Sequence, residues 1–442
     1  MKYLSANKMK RVRKRLKYLY GNSNLDLLEK RFFSMIGRYG VGLDVSKTQR
    51  RWSHRDAVLI TYADSIRSPG ESPLQTLKHF SGRHLKGAIR TLHLLPFYPS
   101  SSDDGFSVID YRKVDPSYGS WKDVRELGKD FQLMFDLVLN HCSSESDWFQ
   151  DFVAGVAPSR HYFIESSPDV DLTAVIRPRT SPLLTPVSTR NGKTHVWTTF
   201  SADQVDLNWK NPDVLFEFLD ILMNYLSKGV RVIRLDAVAY LWKEPGTACI
   251  HLPQTHEVVK LIQDVLSIVA PQVTLLTETN VPHEENISYF GQGDVAHMVY
   301  NFTLPPLTLH ALLYGDKTLR AAPKNTCFFN FTASHDGIGL RPAIGLLSEE
   351  EIQKLSTDIQ DKGGEVSYKQ NPDGSHSPYE LNCTFYSALC FAEDTELSVR
   401  RFLCSQAIAL AFQGLPAVYL NSLVGTGNDY KLYQKTGQAR SL

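Results

Sequence analysis

Eight short apolar runs, four to eight residues each, recur between Val58 and Leu420: Val58–Tyr62, Ile89–Leu95, Leu133–Leu139, Val230–Leu235, Val273–Leu276, Val295–Phe302, Cys327–Phe331 and Ala417–Leu420. Runs with no polar alternation suit strands buried on both faces, the condition met in parallel sheets. Helical patterns separate many of them. Asn211–Pro212 opens a segment with Val214, Leu215, Phe218, Leu219, Leu222, Tyr225 and Leu226 on one face, and Gly229 closes it. His256–Ala270 repeats the pattern before Pro271, and Arg401–Phe412 repeats it before Gly414. Strand–helix alternation predicts a parallel sheet, and eight strands predict a closed (β/α)8 TIM barrel.

The 442 residues divide accordingly into a mostly helical N-terminal extension over 1–57 and a catalytic barrel over 58–442. A stretch rich in Pro, Ser and Thr follows the third strand and reads as an inserted subdomain over 142–205. A second interruption runs from Gly337 to about Val399 and contains the loop-like Lys369–Pro378. Long insertions at strand C-termini are where barrels build their sites.

The first 17 residues carry eight Lys/Arg and no acid. Such a run suits a transit peptide, a polyanion-binding arm or a solvated helix with Leu4, Tyr18 and Leu19 toward its apolar side; the last is the expectation. With 48 basic and 47 acidic side chains there is no global field for nucleic acid, and no apolar run approaches the roughly 20 residues of a membrane span. Six cysteines without a C-x-x-C pair predict a reduced, cytoplasmic protein. The oligomeric state has no signature.

Polar clusters end four of the predicted strands: Asp136-Leu-Val-Leu-Asn140-His141, Arg234-Leu-Asp236, Thr277-Glu278-Thr-Asn280 and Ser334-His335-Asp336. Singly each is weak, because an Asp that ends a strand is more often a helix cap. Together they bring the carboxylates Asp236, Glu278 and Asp336, two histidines and one arginine to the C-terminal mouth of one barrel. Two carboxylates about 5–5.5 Å apart are what retaining glycoside chemistry requires, one as nucleophile and one as acid/base. Arg234 favours an ionised Asp236, which suits the nucleophile, and an apolar strand end raises Glu278, which suits the acid. Asp336 then stabilises positive charge on the sugar.

These clusters, with Gln204-Val-Asp206-Leu-Asn208, resemble in order the conserved regions of the α-amylase superfamily, glycoside hydrolase family 13. The resemblance implies Asp236 as nucleophile, Glu278 as acid/base and Asp336 as transition-state stabiliser. Arg234, His141 and His335 would bind the glucosyl ring. Leu94-Leu-Pro-Phe-Tyr-Pro-Ser-Ser-Ser-Asp103-Asp-Gly-Phe106 resembles the donor-site motif of the sucrose-phosphorylase-like branch, with Asp103 on glucose hydroxyls and Phe106 under the ring. By the same resemblance Gln204 and Tyr379 join the substrate contacts. Arg179 of Arg177-Pro-Arg179 and Arg440 of Lys435-Thr-Gly-Gln-Ala-Arg440 are candidates for phosphate or acceptor.

Sucrose phosphorylases typically carry Asp-x-Tyr-Gln where this chain has Ser377-Pro-Tyr379-Glu380. Leu172–Pro186, Lys369–Glu380 and the N-terminal extension instead resemble the glucosylglycerate phosphorylases. The implied activity is a retaining glycosyltransferase-type phosphorylase. It takes 2-O-(α-D-glucopyranosyl)-D-glycerate and inorganic phosphate to α-D-glucose 1-phosphate, with no cofactor and no metal. Alternatives are a sucrose or sucrose 6′-phosphate phosphorylase, a hydrolase or transglucosidase on the same barrel, and an inactive barrel serving as a binding module. Branch members continue past the position of Arg440 with a last barrel helix and a small β domain. The expectation for this chain is a barrel without that C-terminal domain, incomplete there and leaving apolar surface beside the eighth strand.

Overall fold

Each of the eight runs forms a strand, and together they close into an all-parallel barrel. The strands are β1 (Val58–Thr61), β2 (Thr91–Leu94), β3 (Gln132–Val138), β4 (Val230–Asp236), β5 (Thr274–Thr277), β6 (Met298–Tyr300), β7 (Phe328–Asn330) and β8 (Leu415–Tyr419). They lie around the barrel in sequence order, and Val58 pairs with Thr91 on one side and Ala417 on the other, which closes the ring. This computed structural model describes residues 6–39, 51–179, 181–315, 319, 323–370, 375–390 and 394–442. Lys2 and Leu4, and part of the Lys369–Pro378 stretch, lie outside them.

Pairing is shorter than apolarity in places. Val295, Ala296 and Phe302 flank β6 and are buried, yet they stand outside its paired segment. The helix between β3 and β4 spans Pro212–Ser227, with the Asn211 side chain accepting from the Asp213 N–H and Pro at the first turn. The next starts at Pro253 and ends at Val269. The helix before β8 starts at Thr395, six residues before the sequence pattern becomes apolar, because Asp394 caps it.

The segment after β3 holds a helix (Asp147–Ala154), a hairpin (Leu184–Thr189 with Gly192–Trp197) and a short strand, Gln204–Asp206, paired to His141–Ser143. The second insertion is more ordered than its composition predicts. Glu365–Gln370 and His376–Asn382 form an antiparallel hairpin where a loop is expected, and Ile338–Gly339 adds a third strand to it.

Two N-terminal helices, α1 (Ala6–Tyr20) and α2 (Leu25–Tyr39), lie against the outside of the barrel. Helix α1 buries Met9, Val12, Leu16 and Leu19, a helical stripe, whereas Tyr18 is 55 % exposed, contrary to the expectation for it. Three of its basic residues reach the barrel, while Arg13 pairs with Asp26 and Glu29 of α2. Arg11 and Arg15 bind Asp264, Arg15 also binds Glu257, and Lys8 donates to the Ser267 carbonyl. Helix α2 attaches beside it, with Arg31 on Asp213 and the Tyr39 hydroxyl donating to Asp220 at 2.9 Å. Lys10, Lys14 and Lys17 are exposed, so the basic run is a helix with one solvated face and an apolar side that holds Leu19 but not Tyr18. Near β8, Leu403, Leu410 and Val424 are exposed. No helix among the described residues is long and apolar enough to cross a membrane.

Candidate active site

The mouth of the barrel opens into one cavity, and all twelve residues singled out in the sequence line it. Asp103 and Phe106 come from the turn after β2, His141 follows β3, and Arg179 and Gln204 come from the first insertion. Arg234 and Asp236 end β4, Glu278 follows β5, and His335 and Asp336 follow β7. Tyr379 reaches in from the second insertion and Arg440 from beyond β8.

Strand β4 projects Arg234 and Asp236 to the same side, since side chains two apart share a face. Arg234, 1 % exposed, donates through Nη1 to Asp236 Oδ1 at 2.7 Å and to Asp136. Asp136 pairs in turn with His93 at 2.7 Å. Burial alone would raise Asp136, but Arg234 and His93 hold it below the usual carboxylate range. The guanidinium is thereby fixed from behind by a carboxylate that the sequence presents only as the first residue of the His141 cluster.

Immediately after Asp236 the backbone turns left-handed at Ala237, with φ of 48°. That turn aims the Ala237 N–H at Glu278 Oε2, 2.9 Å away. A non-glycine residue held at positive φ stores strain that the surroundings must over-determine, and such strain clusters at functional sites.

The adjacency of Arg234 predicts an ionised Asp236. Instead, burial pushes this carboxyl well above its ordinary value and nearby Glu278 adds to the rise, together outweighing the guanidinium. Glu278 is also raised, first by burial and then by Asp336, against the pull of Arg234 and the Ala237 N–H. Both carboxyls are thus held above their ordinary values, chiefly by burial. Asp336 behaves oppositely. Burial would raise it, but His335 when charged, and Arg440 at 2.7 Å throughout, hold it well below the usual range.

One wall of the cavity is an aromatic and amide cradle. The His335 ring stacks on Phe106 at 4.7 Å, nearly parallel at 9°, and burial lowers His335 to about 4, so it is neutral near pH 7. Gln204 donates to Asp103 at 2.8 Å and lies 3.1 Å from His141 Nε2. Asp103 and Asp104 both have positive φ, and Gly105 is required beside them because a Cβ there would meet the Pro96 carbonyl oxygen at 2.7 Å. Asp203, which the sequence argument passes over, steadies this turn by accepting from Ser101, Ser102 and Ser144. The serine run beginning at Ser100 is the signal that could have exposed it.

Asn140 forms structural hydrogen bonds. Its Nδ2 donates to Asp206 at 3.1 Å, and its Oδ1 accepts from Lys243, whose ammonium also lies 2.6 Å from Asp206. Of the two candidate anion receptors, Arg440 already faces Asp336 and Glu380, whereas Arg179 has no ion pair among the described residues.

Comparison with known proteins points to one family. Residues 85–323 match the model of the alpha amylase catalytic domain. A glucosylglycerate phosphorylase of Spirochaeta thermophila is 50 % identical over 398 residues, covering 88 % of this chain and 68 % of that protein. The glucosylglycerate phosphorylase of Escherichia coli is 49 % identical over 409 residues, covering 89 % and 73 %. Among solved structures, sucrose 6F-phosphate phosphorylase from Thermoanaerobacter thermosaccharolyticum superposes with a TM-score of 0.77 at 27 % identity, over 90 % of this chain and 82 % of that one.

Proposed function

The chain belongs to the α-amylase family, glycoside hydrolase family 13, among its glucoside phosphorylases, and from that premise we propose that it cleaves 2-O-(α-D-glucopyranosyl)-D-glycerate with inorganic phosphate. The observation that carries this reading is one cavity lined together by the Asp236–Glu278 pair, the Phe106–His335 cradle and Arg179, an arginine with no ion pair among the described residues.

The reaction is a double displacement. Asp236, as the carboxylate, attacks the anomeric carbon while Glu278, which carries the proton, gives it to the departing glycerate oxygen. That division of the proton follows from the bonds each carboxylate accepts. Asp236 holds a charged guanidinium donor, which favours the anion more than the peptide N–H received by Glu278. Phe106 and His335 wall the glucosyl ring, and the ionised Asp336 stabilises positive charge as the bond breaks. Phosphate, drawn by Arg179, then attacks the β-glucosyl enzyme and releases α-D-glucose 1-phosphate. It needs little help in losing a proton, so Glu278 matters less in this second half. The six cysteines, all free thiols, support the cytoplasm as its compartment.

The test is release of glucose 1-phosphate across four donors: glucosylglycerate, sucrose, sucrose 6′-phosphate and glucosylglycerol. The reading requires glucosylglycerate to lead and phosphate to be obligatory. Free glucose produced at an unchanged rate without phosphate would make the protein a hydrolase.

A further inference from the structure

Glu380 is a carboxylate the mechanism above does not use, and it is buried to 1 % exposure beside the reacting groups. Its strand pairs Glu380 with Gly339 on one side and Ser367 on the other. Its side chain lies directly over Gly337, the residue after Asp336, where a Cβ would meet Glu380 Cγ at 2.6 Å. From the other side Arg440 brings Nη2 to 3.0 Å and Nε to 3.3 Å from its two oxygens, and turns Nη1 to Asp336 at 2.7 Å. One guanidinium is thus shared by two carboxylates.

A buried carboxylate persists only when paired, so Arg440 and Glu380 hold one another in place. A cation already balanced twice is also a poor receptor for a third anion. We infer that Glu380 is a positioning residue: it locks Arg440 onto Asp336 and cancels its charge, leaving the acceptor's anionic group to be read by Arg179. This rests on the phosphorylase reading for the identity of the acceptor, but the charge balance does not depend on it.

Two substitutions separate charge from geometry. Glu380→Gln keeps the shape and removes one of the two negative charges on Arg440, so the group formed by Asp336, Arg440 and residue 380 passes from net negative to neutral and repels an incoming anion less. The KM for inorganic phosphate should fall about three- to tenfold, as should the inhibition constant of sulfate used as an unreactive anion, while kcat declines because Asp336 is drawn more tightly to Arg440. Glu380→Asp keeps the charge but withdraws the fork; it should lower kcat and leave the phosphate KM within about twofold of the parent. A merely structural role would weaken both anions and lower stability together. A folded Glu380→Gln variant whose phosphate KM and sulfate inhibition constant are unchanged or raised overturns the inference. If Glu380→Gln does not fold, Glu380→Asp decides alone: unaltered kcat overturns it. Sulfate inhibition scores Glu380 even if the parent releases glucose without phosphate, so the two failures are distinguishable.

Discussion

Arg11 and Arg15 lie one helical turn apart on α1 and both contact Asp264, yet replacing them by Met should have very different consequences. Arg15 is 12 % exposed; its Nη1 is 3.0 and 3.2 Å from the two oxygens of Glu257, itself 11 % exposed, and its Nε is 3.4 Å from Asp264, 6 % exposed. Removing one partner of a buried ion pair costs about 3–5 kcal/mol because the other charge stays behind. Arg11 remains on Asp264 at 2.7 Å and relieves part of that, so Arg15→Met should destabilise by about 2–4 kcal/mol. Arg11 is 49 % exposed, and a pair of that kind contributes about 0–1 kcal/mol. Methionine keeps the aliphatic stem packed, which isolates the charge. Urea midpoints of the two variants, with Glu257→Gln and Arg15→Met/Glu257→Gln to complete a double-mutant cycle, measure the difference. Removing Glu257's charge as well should recover at least about 1 kcal/mol, since the stranded carboxylate is then gone. Equal midpoints for the two single variants, or no coupling to Glu257, would refute the claim that the barrel takes up the basic helix through buried pairs.

The remaining expectations concern the site and the acid limit of the fold. With a donor bearing a good leaving group, such as α-glucosyl fluoride, Glu278→Gln should keep turning over while Asp236→Asn loses activity by at least about 10⁴-fold; equal loss in both would remove the division of roles. Because burial raises Glu278, the general acid stays protonated to a higher pH than a free glutamic acid, so kcat/KM for glucosylglycerate should fall on an alkaline limb above the ordinary Glu range; a limb inside that range would contradict this. His251, His256 and His335 are depressed to about 4 and His297 to about 3, chiefly by burial. Depressed histidines bind protons in the unfolded chain first, so stability is full above about pH 6.5 and is lost as pH falls toward 4; denaturation midpoints independent of pH across that window would show that these rings are not buried neutral. Lys243→Met strands the fully buried Asp206 with Thr199 and Asn140 as its remaining donors, and should cost about 3 kcal/mol by urea denaturation.

The barrel was legible because its strands are apolar on both faces, a pattern that survives without knowledge of neighbours. Their ends were less so, since Val295 and Phe302 carry the same hydrophobic signal as the paired residues between them. The helix from Thr395 begins in a polar turn, with Leu397 and Val399 on its exposed side, so its apolar stripe starts late. Strand-end carboxylates could be read locally, and they converge. What could not be read is what depends on distance along the chain or on surroundings. Glu380 meets Arg440 across sixty residues, and nothing near either announces the other. The titration of Asp236 hinges on how deeply it is enclosed, while its sequence neighbour Arg234 argues for the opposite sign.

The left-handed turn at Ala237 ties the two reacting carboxylates together through a single peptide, because the residue after Asp236 donates its N–H to Glu278. Their spacing is therefore written into backbone rather than into any exchangeable loop. The insertions that carry Arg179 and Tyr379 lie apart from that backbone, and on the proposed reading they shape the pocket of the molecule that receives glucose. On that reading acceptor choice can diverge while the handedness of the product is inherited unchanged, and efforts to retarget the enzyme should leave residues 236 to 238 alone.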